Sequence, residues 1–169
     1  TLHFLLDDQL KTKNINQSKN EWDLPLVFAI KNKLYEKVSD EGVQLLHEAQ
    51  DMILNLSYSS DATLIVFEVY GDETVVIQIR NLFKTGIRNG NAPMVSPDGE
   101  KIVFMIIEDD GYQIQSGSIS YWDSKTGKIY PIIEDPKIVA MNPAWANNNL
   151  IYYINFLDSS IHSAGLGNK

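Results

Sequence analysis

The chain has 169 residues, 44% of them hydrophobic, and a formal net charge of −8, values typical of one globular domain large enough to bury a core. An acidic surface repels phosphate groups, which argues against nucleic acid and anionic membranes as partners. The absence of cysteine excludes disulfides, thiolate metal sites and cysteine nucleophiles, and no apolar run approaches the roughly 20 residues that cross a bilayer.

The first part of the chain is predicted to form short strands separated by polar segments. Residues 11–20 are polar and Asn-rich, which predicts a loop or linker. Strands are predicted at 26–30, 33–38 and 43–46, which are short runs rich in aliphatic and aromatic residues. Residues 41–55 also contain good helix formers, so a helix of about three turns is the alternative for that stretch.

Two later stretches, 58–67 and 95–104, align without a gap, each with a turn followed by a β-branched strand that ends in Phe. Ser-Pro-Asp-Gly at 96–99 is strong turn chemistry, because Pro presets φ and Gly tolerates positive φ. Further strands are predicted at 74–79, 118–123, 129–133 and 150–153, and residues 163–169 are predicted to fray.

Four aromatic residues mark corresponding strands: Phe28, Phe67, Phe104 and Tyr153, which lie 39, 37 and 49 residues apart. A period near 40 residues is typical of a four-stranded propeller blade and is too long for a leucine-rich repeat. Helical repeats of similar length would show a 3.6-residue periodicity, which these segments lack. The sequence therefore predicts antiparallel hairpins in series.

Residues 92–104 (APMVSPDGEKIVF) resemble the repeat of the TolB-like β-propellers, and are similar to propeller domains of prolyl-oligopeptidase-type peptidases and of some oligogalacturonate lyases. The third unit carries most of that pattern, in Pro93, Ser96, Pro97, Asp98, Gly99, Phe104, Tyr121, Asp123, Thr126, Gly127 and Lys128. The fourth unit keeps Pro143 and Trp145 but has three asparagines at 147–149 in place of the turn. The resemblance implies four-stranded blades around a channel.

The predicted fold is all-β, a β-propeller of about four imperfect blades or a partial propeller, in a single domain spanning 1–169. Its units are expected at 24–54, 55–91, 92–141, and 142–162 with 1–8. The N-terminal strand at 1–6 is expected to complete the last blade beside 150–157, since closure of this kind removes exposed strand edges.

No catalytic, metal-binding or cofactor-binding residue is predicted. His3, His47 and His162 lack metal-ligand spacing, and no Gly-x-Ser-x-Gly turn is present. The acidic clusters at 7–8, 40–41, 72–73 and 108–110 lack the alternating spacing of a calcium loop and are expected to serve turns. Asp61 and Asp98 are expected to cap their turns through backbone N–H groups. Trp22, outside the repeats, is considered for a binding surface.

These observations predict a non-catalytic propeller that binds or scaffolds, and the resemblance suggests a protein partner in the bacterial cell envelope, with a small ligand left open. A periplasmic or extracytoplasmic location is expected, with a leader removed before Thr1, and the cytoplasm stays open. One alternative is a carbohydrate-acting, lyase-like enzyme, although Arg80 and Arg88 are the only arginines for an acidic sugar. The other is half of an oligomeric propeller.

Overall fold

The structure, a computed structural model, describes residues 3–6, 9–12, 25–37, 42–71, 74–78 and 83–167, with side chains for 25–37, 42–71, 77 and 86–167. Every regular element in these residues is a β-strand. No helix in them is long and apolar enough to cross a membrane.

The sixteen strands form a hairpin and four larger sheets, here called blades one to four. The hairpin contains β1 (His3–Leu6) and β2 (Gln9–Thr12), and blade one contains β3 (Leu26–Ile30), β4 (Lys33–Lys37) and β5 (Val43–Glu48). Blade two contains β6 (Ile53–Tyr58), β7 (Leu64–Val69), β8 (Thr74–Gln78) and β9 (Phe83–Ile87). Blade three contains β10 (Gly90–Val95), β11 (Lys101–Asp109), β12 (Ile114–Asp123) and β13 (Ile129–Ile133), and blade four contains β14 (Ala140–Asn147), β15 (Leu150–Asn155) and β16 (Ser160–Gly165).

Each blade is an antiparallel meander in which strands that follow one another in the chain are neighbours in the sheet. Blades two and three have four strands, whereas blades one and four have three among the described residues. The sheets do not close into a ring in the described part of the chain, so the fold is a partial propeller. The predicted fold class is confirmed.

The first strands of blades two, three and four share a local distortion. Asn55, Ala92 and Asn142 have positive φ values of 47°, 48° and 51°, and each lies where the pairing register with the next strand shifts. A bulge of this kind bends a strand and increases its twist. Ala in the left-handed region carries a conformational cost, so the surrounding structure must impose the bend at Ala92.

Three apolar clusters fill the spaces between consecutive blades. Phe67 lies between blades one and two, Phe104 between blades two and three, and Tyr153 between blades three and four. Successive residues of a strand face opposite sides of the sheet, so Val66 and Val103, next to these aromatics, pack toward the following blade. The alternating side chains of these strands therefore pack on both neighbouring blades at once.

Hydrogen bonds also connect the inner strands of neighbouring blades. The Val95 amide donates to Ser57 Oγ at 3.0 Å, which joins blade three to blade two. The Trp145 indole Nε1 donates to the Met94 carbonyl at 2.9 Å, which joins blade four to blade three. Trp145 and Trp122 both pack between blades, as predicted. A Trp that packs between blades with its N–H satisfied contributes apolar area without leaving an unpaired polar group.

Strand pairing corrects two predictions about the first part of the chain and decides between the two alternatives of a third. His3–Leu6 pairs with Gln9–Thr12, and not with the last blade. Residues 11 and 12, predicted as loop, therefore belong to a strand, while 13–20 lie outside the described residues. Val43–Glu48 pairs with β4, so the strand prediction is right there and the helical alternative is wrong. Hydrogen bonds to an open strand edge outweigh the weak helix propensity of this stretch.

The fraying predicted for residues 163–169 is wrong for 163–166. Residues through Gly165 pair with β15, and the Leu166 amide donates to the Asn149 carbonyl at 2.8 Å. The last two residues lie outside the described ranges. Pairing along the whole of β15 holds this segment in place despite its polar, Gly-containing composition.

Candidate functional site

In an antiparallel meander, successive turns lie at opposite ends of the sheet. The turns of the blades therefore form two opposite rims. In blades two, three and four, the turns after the first strand lie together at one rim. There, the Asp98 amide of blade three donates to Asn148 Oδ1 of blade four at 3.1 Å, and Gly99 lies directly against Ser59 of blade two. The turns after the second strand of these blades lie at the other rim, beside the connections between blades. In blade one the β3–β4 turn lies there, because the Lys31 carbonyl accepts the Ile53 amide at 2.8 Å.

The second rim exposes large apolar side chains in three consecutive blades. Its exposed members, called the aromatic rim below, are Met52 and Tyr70 in blade two, Tyr112 in blade three, and Phe156 and Leu157 in blade four. Tyr112 is 96% exposed, at the tip of the long β11–β12 hairpin. Aromatic residues and Met are enriched in protein interfaces relative to other surfaces.

The aromatic rim is built on the same backbone link in blades two and four. The Tyr70 amide donates to the Met52 carbonyl at 2.9 Å, and the Phe156 amide donates to the Val139 carbonyl at 2.8 Å. In both cases the first residue after the second strand bonds to the residue before the first strand. Tyr70 and Phe156 therefore occupy equivalent positions, fixed by the backbone of their own blade.

The turn that carries Tyr112 is held by a carboxylate. Asp110 Oδ1 accepts the amide N–H groups of Tyr112 at 2.9 Å and Gln113 at 2.8 Å, and Oδ2 accepts Gln115 Nε2 at 2.8 Å. The bonds from Gln113 and Tyr112 are the main cause that lowers the pKa of Asp110. The acidic cluster at 108–110 thus serves the turn, as predicted, and fixes the backbone from which Tyr112 projects.

The buried side chain of Asn155 restrains the loop that carries Phe156 and Leu157. Asn155 Oδ1 accepts the amide N–H groups of Val139 and Leu157, each at 3.3 Å. One amide oxygen therefore ties the start of blade four to the loop after its second strand. A loop restrained in this way presents its apolar side chains with little ordering cost on binding.

The first rim contains two almost identical polar turns. Ser59 Oγ donates to Asp61 Oδ1 at 2.7 Å and accepts the Leu64 amide at 3.0 Å, and Asp61 Oδ1 accepts the Thr63 amide at 3.1 Å. The same side chains recur in blade three: Ser96 Oγ donates to Asp98 Oδ1 at 2.5 Å and accepts the Lys101 amide at 2.9 Å, and Asp98 Oδ1 accepts the Glu100 amide at 3.1 Å. Asp61 and Asp98 are turn caps, as predicted.

The electrostatics of these turns follow from the same bonds. The hydrogen bonds from Ser59 and Thr63 lower the pKa of Asp61 to about 2. Burial raises the pKa of Asp98, but its hydrogen bonds from Ser96 and Glu100 and the charge of Lys101 outweigh burial, so that its pKa is also lowered. Both carboxylates are therefore kept ionised to hold a turn, the opposite of what a general acid requires.

One cluster in blade four was not found by sequence reasoning. Ser160 Oγ lies 2.5 Å from Asp158 Oδ1 and 2.6 Å from Nε2 of His162, whose ring stacks on Tyr153 at 5.4 Å. The Ser160 hydroxyl has one proton. Its donation to Asp158 leaves Ser160 an acceptor for His162, the reverse of the direction that activates a serine nucleophile. The only signal in the sequence was the spacing Asp-x-Ser-x-His.

The other predicted positions are dispersed. The ring of His47 lies 5.7 Å from that of Phe67 between blades one and two, and the side chain of His3 lies outside the described residues. Trp22 and the acidic clusters at 7–8, 40–41 and 72–73 also lie outside them. In the part of the chain that the structure describes, no three His, Asp or Glu side chains are grouped to hold a metal ion.

No family model matches the chain, and no curated protein does. Among solved structures, it is similar to a puromycin-hydrolyzing peptidase of Mycobacterium tuberculosis, with a TM-score of 0.63, 16% identity, and coverage of 86% of this chain and 28% of the peptidase. An oligogalacturonate lyase in complex with manganese has a TM-score of 0.60, 11% identity, and coverage of 81% of this chain and 44% of the lyase. TolB from Acinetobacter baumannii has a TM-score of 0.48 and 17% identity, with 86% of this chain and 41% of TolB covered.

The chain spans less than half the length of each of these three proteins. At such low identities the similarity to the peptidase and the lyase shows the β-propeller fold and nothing about activity.

Proposed function

We propose that this chain is a non-catalytic β-propeller module that binds a protein partner through its aromatic rim. The observation that carries the proposal is the exposure of Tyr70, Tyr112 and Phe156 at one rim of three consecutive blades, on backbone held by hydrogen bonds. Function in rigid repeat scaffolds resides on the loops, and exposed aromatic side chains on fixed loops are the residues that anchor protein interfaces.

The charge around the rim indicates the character of the partner. Asp51 precedes Met52, residues 108–110 lead into the Tyr112 turn, and Asp158 follows Leu157, so acidic groups lie next to apolar members of the rim in all three blades. Basic residues surrounding an apolar centre would complement this surface. We expect the association rate to fall as ionic strength rises, because exposed charges at a rim act mainly on the encounter.

The non-catalytic part of the proposal is supported by what the polar groups already do. Asp61, Asp98 and Asp110 hold turns, and the Ser160 hydroxyl donates to the Asp158 carboxylate rather than to the His162 imidazole. The resemblance of residues 92–104 to the TolB-like repeat supports a protein partner and an extracytoplasmic location.

The test places a photoreactive phenylalanine analogue at position 112 or 156 in the source cells, with position 129 as the control. Ile129 is exposed to nearly the same extent as Phe156 but lies on β13, next to the other rim. We expect an adduct of the same mass from positions 112 and 156, lost when Tyr70 is changed to Ser, and no such adduct from position 129. An adduct equally strong at all three positions would contradict the proposal.

A further inference from the structure

Blade four has an apolar face that the described residues leave uncovered. In the strand that carries the anchor aromatic, the residue just before that aromatic packs toward the following blade in blades one to three: Val27 is 3% exposed, and Val66 and Val103 are both 0% exposed. The equivalent residue of blade four is Tyr152, which is 49% exposed. The same position of the fold is thus buried in three blades and exposed in the fourth.

The composition of this face is that of an interface. Residues paired directly across strands share a face, so Tyr152 and Ile154 lie with their partners on β14 and β16. The described members of the face are Met141, Ala144, Asn147, Leu150, Tyr152, Ile154, Ile161, Ser163 and Gly165, and none of them is charged. Ile161 is 73% exposed, and an antiparallel sheet whose outer face meets only solvent would place polar residues at these positions.

Blade one has the complementary face. Val27 and Leu34 pack on blade two, so Phe28 and Tyr35, which stack with ring centroids 5.6 Å apart, face the opposite side, along with Leu45, which pairs with Tyr35. Phe28 occupies the position of Phe67, Phe104 and Tyr153, each of which packs against the preceding blade. At each internal joint, the anchor-aromatic face of one blade packs on the opposite face of the preceding blade. Blade one therefore offers the first kind of face and blade four the second.

We propose that the open face of blade four docks on the face of blade one that carries Phe28 and Tyr35, in a second copy of this chain. Such a joint repeats the blade-to-blade packing already present three times within each copy. Two copies joined head to tail at both ends would form a ring of about eight blades with two-fold symmetry, within the usual range of four to eight blades. This proposal rests on the fold and is independent of the aromatic rim.

The first test measures mass in solution by sedimentation equilibrium on the 169-residue chain. We expect about twice the monomer mass of 19.1 kDa. Ile161→Lys should return the mass to that of the monomer, because it buries a charge at the joint while its high exposure leaves the monomer core intact. Ile129→Lys, on an exposed position of β13, should stay dimeric. A monomeric wild-type chain would overturn the proposal. A monomer is the expected result if residues 1–24 of the same copy cover this face of blade one.

The second test determines the direction of docking. The chain lacks cysteine, so Leu45→Cys and Ile161→Cys each create a single reactive position on an exposed side chain. With a short bismaleimide, a mixture of the two variants should give a cross-linked species of twice the monomer mass, and neither variant alone should do so. Cross-linking of Ile161→Cys with itself would show face-to-face docking and would overturn the head-to-tail arrangement. Ile129→Cys mixed with Leu45→Cys serves as the negative control.

Discussion

The turn between β10 and β11 offers a quantitative test of how side chains fix a blade. Ser96 is buried, and its hydroxyl makes two hydrogen bonds: it donates to the Asp98 carboxylate at 2.5 Å and accepts the Lys101 amide at 2.9 Å. Ser96→Ala removes both. A neutral hydrogen bond contributes about 0.5–1.5 kcal/mol net and one to a charged group about 1.5–3 kcal/mol, so we expect a loss of about 2–4 kcal/mol.

Urea unfolding followed by far-UV circular dichroism measures this loss. With a slope of about 2 kcal/mol/M, the midpoint should fall by about 1–2 M at an unchanged slope. Ser59→Ala, in the equivalent turn of blade two, is the matched comparison and should behave alike, because its hydroxyl makes the same two bonds. A Ser96→Ala midpoint within about 0.3 M of wild type would refute the reasoning, since the turn would then hold without its side chain.

Two further predictions concern the same rim. The pKa of Asp61, lowered to about 2 by Ser59 and Thr63, lies below the ordinary value of 3.8, so its stabilising effect is complete above about pH 5 and is lost as the pH falls through 3.8 and then 2. Asp61→Asn should flatten this acid limb in pH-dependent unfolding, and an unchanged limb would contradict the assignment. Gly99→Ala should destabilise more than Gly127→Ala: both glycines have positive φ, but only at Gly99 would the new Cβ meet Ser59, at 2.9 Å. Equal midpoints in urea would show that the blades adjust freely there.

Local sequence signals were sufficient for the turn caps and for the strands that carry the anchor aromatics, but not for β2, β9 or β16. Serine and aspartate two residues apart, followed by Gly or Ala and a β-branched run, predicted the turns at Asp61 and Asp98, because all the bonds involved span five residues or fewer. The aromatic residues that end the strands likewise lie between blades in three cases, with Phe67 and Phe104 fully buried.

Tertiary structure alone decided which loops share a rim and which faces stay open. Tyr70, Tyr112 and Phe156 are about 40 residues apart in sequence, and only the stacking of blades brings their turns to one end. Residues 43–48 are a strand because β4 offers them an edge, a partner that no local pattern reveals. Tyr152 and Val103 occupy the same position in the pattern, yet one is half exposed and the other buried, because burial depends on whether another sheet lies against the strand.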